Sequence, residues 1–228
     1  MRLQSSPTKR NDINMKEPIL DNYTQLENGV IRQANRKPFV YGSEYTKGYE
    51  KYGIEKKCMS YLRLGYIIGS IGKIPNKILD VGYGQGHFLD AAKDIIPNCF
   101  GNDITNECPL PEKCTFVNNI YEESYDVVTF FDVLEHFEDV YDIKNLKTEY
   151  IVVSMPWCTY KGSEWFESWK HRRPNEHLWF FNDETLTNFM EEVGFARVNT
   201  CNIEDAIRKD KNNNPNILAG IFKKLVQS

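Results

Sequence analysis

ILDVGYGQGHF, residues 78–88, is the stretch on which the fold of this chain turns. With Lys77 its first half is a short, mostly apolar run, the texture of a strand buried on both faces of a parallel sheet. Its second half bends through Gly82, Gly84 and Gly86, which have no Cβ and let the backbone come close to a ligand. HFLDAAKDI (87–95) then reads as a helix, and CFGND (99–103) as the next strand. That strand ends on Asp103, 21 residues past Gly82, where a carboxylate can accept from both ribose hydroxyls of an adenosine. The dinucleotide fingerprint is G-x-G-x-x-G, and here the third glycine arrives one residue early. Asp80, just before the turn, repels a pyrophosphate but suits a ligand carrying a sulfonium and an amino group. The pattern favours S-adenosylmethionine over a nicotinamide dinucleotide.

Outward from this turn the same rhythm continues. CTFVNN (114–119), YDVVTFFDV (125–133) and EYIVVSM (149–155) are further strands, and DETLTNFMEEVG (183–194) is a helix with Asp183 at its N-cap and Gly194 past its end. Alternating strands and helices require parallel strands with right-handed crossovers, hence an α/β three-layer sandwich. FARVNTCNIEDAI (195–207) and NILAGIFKKL (216–225) leave no room for a crossover helix, so they should pair as an antiparallel hairpin. N-terminal to the turn, EKKCMSYLRLGYIIGSIG (55–72) is a helix stopped by glycine and Pro75. Tyrosines 41, 45, 49 and 52 lie close to helical spacing, either on an amphipathic helix covering the core or on an aromatic lid over a ligand. Residues 1–36 are polar without a sustained period and read as a mobile arm. The expected organisation is an arm (1–36), a helical cap (37–73) and one α/β domain (74–228).

Composition narrows the partners. A chain of 228 residues suits one domain plus extensions, and 41% hydrophobic with 26% charged residues is ordinary for a protein in water. No apolar run approaches the roughly 18 residues of a membrane span, and the N-terminal segment lacks a signal-peptide core, which sets the expectation of a cytoplasmic protein. Six scattered cysteines without a CxxC pair read as reduced, mostly buried thiols. A net charge of −4 argues against a general nucleic-acid binder and leaves a small molecule as the expected partner.

LDVGYGQG (79–86), NDI (102–104), YDVVTFFDVLEHFED (125–139), IVVSMP (151–156) and EHLWFFNDETLTNFMEEVGF (176–195) occur in this order. In these motifs the chain resembles the class I S-adenosylmethionine-dependent methyltransferases, more narrowly their ubiquinone/menaquinone-type and methyltransferase domain 23 groups, over residues 77–200. The resemblance implies a Rossmann-like α/β/α sandwich with a seven-stranded, mostly parallel sheet and an antiparallel last strand, in agreement with the hairpin. It implies that the Gly82–Gly86 turn holds the methionine part of S-adenosyl-L-methionine and Asp103 its ribose. Asn119 falls where the family often has an aspartate near the adenine, and its amide oxygen is a weaker acceptor than a carboxylate. Phe131 and Asp132 leave the fourth strand and are expected beside the methionine end, since ligands in open parallel sheets sit at the carboxyl ends of strands.

Asp132, Glu135 and His136 of DVLEH fall at i, i+3 and i+4, one face if the segment is helical. Carboxylates and imidazole are competent metal ligands. The ubiquinone group has a similar acidic-x-x-Glu-His pattern associated with a divalent cation, whereas related members use it to shape the cofactor pocket. The second use sets the expectation, no resident metal. His136 is also a candidate base, since neutral imidazole accepts a proton near pH 7. His177 matches a recurring family histidine and is expected near the site in a similar role.

All four tryptophans (157, 165, 169 and 179) lie in a 23-residue stretch with His171, Arg172, Arg173 and His177. They either pack a subsidiary core beside a solvated KHRR run, or wall an acceptor pocket whose arginines pair with an anionic group. On the second reading Tyr45, Trp157, Trp169, Arg172 and Arg173 contact substrate. Methyl transfer demands little of side chains, because the sulfonium is already an activated leaving group. Ser154-Met-Pro-Trp157 is superficially like a motif of base-modifying amino methyltransferases, but that motif belongs after the fourth strand, where FFDVLEH stands instead. The expected activity is methylation of a small-molecule or sugar-like acceptor at a hydroxyl. A nonenzymatic adenosine-binding scaffold and a base methyltransferase are the alternatives.

Overall fold

The computed structural model describes residues 15–39, 53–105, 108–212 and 214–226. Tyr45 and the other tyrosines of 41–52 lie outside the described residues.

The main sheet has seven strands: β4 (Lys77–Val81), β5 (Asn98–Asn102), β6 (Cys114–Phe116), β7 (Ser124–Phe131), β8 (Lys147–Pro156), β10 (Phe195–Cys201) and β11 (Ile217–Lys224). Their order is β6-β5-β4-β7-β8-β11-β10. The first five run parallel, and β11 pairs antiparallel with both β8 and β10. The sequence reading of the sheet and its hairpin holds. The hairpin is inserted so that the strand formed later, β11, lies inside and β10 forms the edge.

Alternation along the strands sorts the core into two layers. Leu79, Val128, Phe130, Ile151 and Val153 face the helix α3 (Asp183–Glu192) and the 3-10 segments Leu134–His136 and Val140–Asn145. Ile78, Val127, Val152 and Ile221 face α1 (Gly53–Ile71) and α2 (His87–Ala92). On α1, Ser60, Leu64 and Ile67 are buried at i, i+4 and i+7, which puts them on one face of the helix. The crossovers before β6, β7 and β8 contain no α-helix among the described residues, where strand–helix alternation had been expected. The N-cap of α3 is Asn182, not Asp183: the Asn182 side chain accepts from Thr185 N, and Thr185 Oγ1 accepts from Asn182 N.

The arm reading is overturned from residue 15 onward. β1 (Met15–Leu20), β2 (Tyr23–Leu26) and β3 (Ile31–Gln33) form an antiparallel meander that pairs with β9 (Trp179–Phe180). Strands of three to six residues are too short to show a period. Asn22 (φ 68°) and Gly29 (φ 86°) make the turns between them. The cysteine reading also needs correction. All six thiols are unbridged, but only Cys99 and Cys158 are buried. None of the described helices is long and apolar enough to cross a membrane.

Candidate active site

The chain leaves β4 towards β5 and β6 on one side and returns to β7 on the other. Strand order therefore reverses between β4 and β7, the switch point at whose carboxyl ends open α/β sheets hold their ligands. The glycine turn sits there. Gly82, Gly84 and Gly86 all have positive φ (71°, 54° and 75°). A Cβ on Gly82 would stand 2.4 Å from Val133 Cγ2, whereas one on Gly84 would meet nothing nearer than the Gly82 oxygen at 4.0 Å. Gly84 is thus the open side of the turn, and its N–H donates to Asp103 Oδ2 at 3.0 Å. Asp103 Oδ1 accepts from Thr105 N and Oγ1, each at 2.9 Å. These bonds hold the carboxylate beside the turn.

Asp80 is placed differently from the simple picture of a carboxylate lining the pocket. It is 3% exposed, and Thr129 Oγ1, on the neighbouring strand β7, donates to it at 2.6 Å. Burial pushes its carboxyl up to about 7, against the pull of Thr129 and Arg63. Asn119 donates to Glu122 Oε1 (3.0 Å), and its oxygen already takes Tyr121 N–H (3.1 Å). It lines a cavity of about 200 Å³ with Phe116, Val117, Asn118, Glu122 and Glu123.

Phe131 packs edge-on against Phe88 (4.9 Å between centroids) and lies under the guanidinium of Arg63 at 4.2 Å. Asp132 leaves β7 with φ 56°, and its N–H donates to Ser154 O. Its carboxylate takes Arg208 Nη1 at 2.8 Å on both oxygens and Arg63 Nη2 at 3.3 Å. Glu204, 1% exposed, bridges the same two arginines through Arg63 Nε (2.7 Å) and Arg208 Nη1 (3.2 Å). Burial opposes ionisation of Asp132, yet Arg208 and Arg63 hold its carboxyl down to about 2. Sequence reasoning missed Arg63, Glu204 and Arg208. They lie far apart in the chain, and each alone reads as an ordinary surface charge.

Asp132 is therefore an arginine partner, and the cluster expected from DVLEH assembles with another member. Glu135, His136 and His177 each bring one ligating atom to within 4.8 Å of the others. The Leu134–His136 segment is 3-10, not α-helical, and Leu178 N–H donates to Glu135 O (2.8 Å), which docks residues 176–178 against it. The two imidazoles lie 4.7 Å apart at 82°. His136 Nδ1 bonds Glu176 O (2.9 Å) and His177 Nδ1 bonds His171 O (2.8 Å). Carbonyls only accept, so both Nδ1 atoms carry the proton and each Nε2 bears the lone pair. Burial pushes both imidazoles down, His177 to about 3 with His136 and Arg173 adding to the effect. Glu135 is 2% exposed, neither carboxylate oxygen has a hydrogen-bond partner, and burial followed by Asp132 raises its pKa well above the usual range.

The tryptophan cluster splits. Trp169 stacks on Trp165 at 5.3 Å and packs with Phe166 and Phe180 in the core of the small sheet. Arg172 lies over Tyr23 of β2 at 5.7 Å and donates to Glu167 O. Both were expected at the substrate, but their contacts belong to the subsidiary core. Trp157 stays at the carboxyl end of β8, its N–H donating to Asn216 O (3.0 Å). Arg173 donates to Glu176 Oε1 (3.0 Å), beside the imidazole pair.

A family model described as a methyltransferase domain, Methyltransf_23, matches residues 49–200. The chain belongs to this methyltransferase family. The class I S-adenosylmethionine-dependent fold expected from the motifs is the one this methyltransferase has. Solved structures agree on the fold at low identity. The Burkholderia thailandensis 1,6-didemethyltoxoflavin-N1-methyltransferase, with 1,6-didemethyltoxoflavin and S-adenosylhomocysteine, is 13% identical over 90% of this chain and 100% of its own, with a TM-score of 0.56. The magnesium protoporphyrin IX methyltransferase of Synechocystis PCC 6803, with the same product, is 12% identical over 82% and 90%, at 0.52. The plantazolicin methyltransferase BpumL, bound to a monoazolic analogue and that product, is 14% identical over 80% and 90%, at 0.51. No curated protein matches the chain.

Proposed function

We propose that this methyltransferase moves the methyl group of S-adenosylmethionine to an oxygen of a small-molecule acceptor lying between the glycine turn and the Glu135–His136–His177 cluster. The observation that supports it best is that cluster. Two neutral imidazoles and a buried carboxyl stand at the end of β7, one turn beyond Phe131 and Asp132. A nitrogen acceptor needs no such group, whereas a hydroxyl must lose its proton as it attacks. The Gly84–Asp103 pair orients the adenosine, the wall of Phe131 and Arg63 confines the methionine end, and transfer follows from in-line positioning.

The donor set also fits a divalent cation, contrary to the expectation of none. Glu135 has two buried oxygens without a partner, and both histidines already give their Nδ1–H to carbonyls, the arrangement that aims Nε2 at a metal. Glu135, His136 and His177 would hold the ion, which would supply Lewis-acid polarisation of a bound hydroxyl.

Thermal unfolding with ligand tests the cofactor reading. S-adenosylmethionine and S-adenosylhomocysteine raise Tm, and Asp103→Ala removes most of the rise, through linkage of binding to stability. An unchanged Tm at millimolar ligand would sink the reading.

A further inference from the structure

The inference rests on the methyltransferase reading of the crevice and concerns what its acceptor carries. A guanidinium has five N–H donors in a rigid plane, and the Nε–Nη2 edge is the side-on fork that matches a carboxylate. Arg63 uses that edge internally: Nε and Nη2 both donate to Glu204, and Nη2 also to Asp132 and Ser154. Arg208 does the opposite. All three of its bonds to Asp132 and Glu204 come from Nη1 alone. Among the described residues nothing accepts from its Nε or Nη2, and the side chain is 32% exposed.

The position of Arg208 is fixed on the acceptor side of the crevice. Its carbonyl accepts from Asn216 Nδ2 (2.6 Å), and Asn216 O in turn accepts from Trp157 N at the end of β8. Asn216 Oδ1 bonds His171 Nε2 (3.0 Å), and the His171 carbonyl is the one that orients His177. One short chain of bonds thus connects Arg208 to the imidazole pair. Lys170 and Arg173 stand near the same His171, but Lys170 is paired with Asp210 and Arg173 with Glu176.

We propose that the Nε–Nη2 edge of Arg208 anchors a carboxylate of the acceptor, so that the substrates of this enzyme are small organic acids bearing a methylatable group. Asp132 and Glu204 hold the guanidinium by its far nitrogen and leave the fork oriented before the acceptor arrives. Pre-orientation of this kind lowers the ordering cost of binding.

The test uses the full chain saturated with S-adenosylhomocysteine, titrated with benzoate and acetate and with their neutral isosteres benzamide and acetamide. A rise in Tm on adding the cofactor product establishes the loaded state in the same experiment, so failure of the cofactor reading shows separately. At least one carboxylate should bind at least fivefold more tightly than its amide. Arg208→Lys, which keeps a cation for Asp132 and Glu204 but loses the fork, should abolish that preference and leave the response to S-adenosylhomocysteine intact. Arg172→Lys, over Tyr23 in the small sheet, should preserve the preference. Equal binding of acids and amides by the wild type, or an undiminished preference in Arg208→Lys, overturns the proposal.

Discussion

Thr129 on β7 donates its hydroxyl to Asp80 on β4 at 2.6 Å, across the parallel pair that forms the floor of the crevice. Asp80 titrates near 7 in the fold because it is buried, against about 4 in an unfolded chain. Between those values the folded state holds the extra proton, so stability declines as pH rises from about 4 to about 7 and levels off above. Asp80→Asn keeps an oxygen for Thr129 and should flatten this slope in urea titrations from pH 5 to 8. An identical slope in the variant would show that other groups set the pH dependence.

Gly82 and Gly84 share a left-handed backbone but not an environment. Gly82→Ala drives a methyl into Val133 and should cost about 2–3 kcal/mol or more of stability, part of it recovered by Val133→Ala. Gly84→Ala carries only the backbone strain, about 1 kcal/mol, yet places a methyl on the open face and should weaken S-adenosylhomocysteine binding at least tenfold. Calorimetric titration beside denaturant unfolding separates the two. Equal unfolding costs would contradict the assignment of Val133 as the obstacle.

Glu204 is the hub of the two arginines. Glu204→Ala leaves Arg63 and Arg208 partly buried with one acid between them and should cost about 3–5 kcal/mol. Chemical unfolding measures it. A loss below about 1 kcal/mol would mean that Asp132 and solvent suffice.

Cobalt(II) absorption spectra report directly on the imidazole pair. Glu135→Gln and His177→Ala should each weaken binding of the ion at least tenfold, whereas His171→Ala, whose contribution to His177 is a backbone carbonyl, should have a much smaller effect. No visible spectrum with the wild type would dismiss a resident cation and leave the imidazoles as the proton acceptors.

Trp169 packs the small sheet, so Trp169→Ala should lower stability by about 2 kcal/mol and leave cofactor affinity within twofold. A large loss of affinity would return this residue to the site.

Much of the sheet was legible because strands buried on both faces read as short, mostly apolar runs rich in β-branched and aromatic residues: KILDV, YDVVTFF and EYIVVSM are all of this kind. The hairpin followed from length alone, since two strands with a short polar link leave no space for a helix. What escaped was set by contacts distant in sequence. Nothing local in Glu204 announces that Arg63, 141 residues away, lies against it. The grouping of DVLEH as one helical face predicted Asp132 as a partner of His136. The 3-10 geometry of Leu134–His136 and two arginines took Asp132 elsewhere, and His177 filled the place. Tryptophan clustering was visible in the sequence, but clustering cannot say which of two cores the rings enter.

The inward position of β11 bears on the order of synthesis. β8 has β7 on one side only, and its other edge stays bare until residues 217–224 leave the ribosome, after every other strand of the sheet has been made. During that interval a ten-residue strand, buried along most of its length in the finished protein, offers unpaired backbone to any neighbouring nascent chain. The carboxyl end of β8, Trp157 and the Asn216 link to Arg208 cannot close until the same moment. Closure of this end of the sheet and protection of its edge from aggregation are thus a single late event, governed by one eight-residue strand.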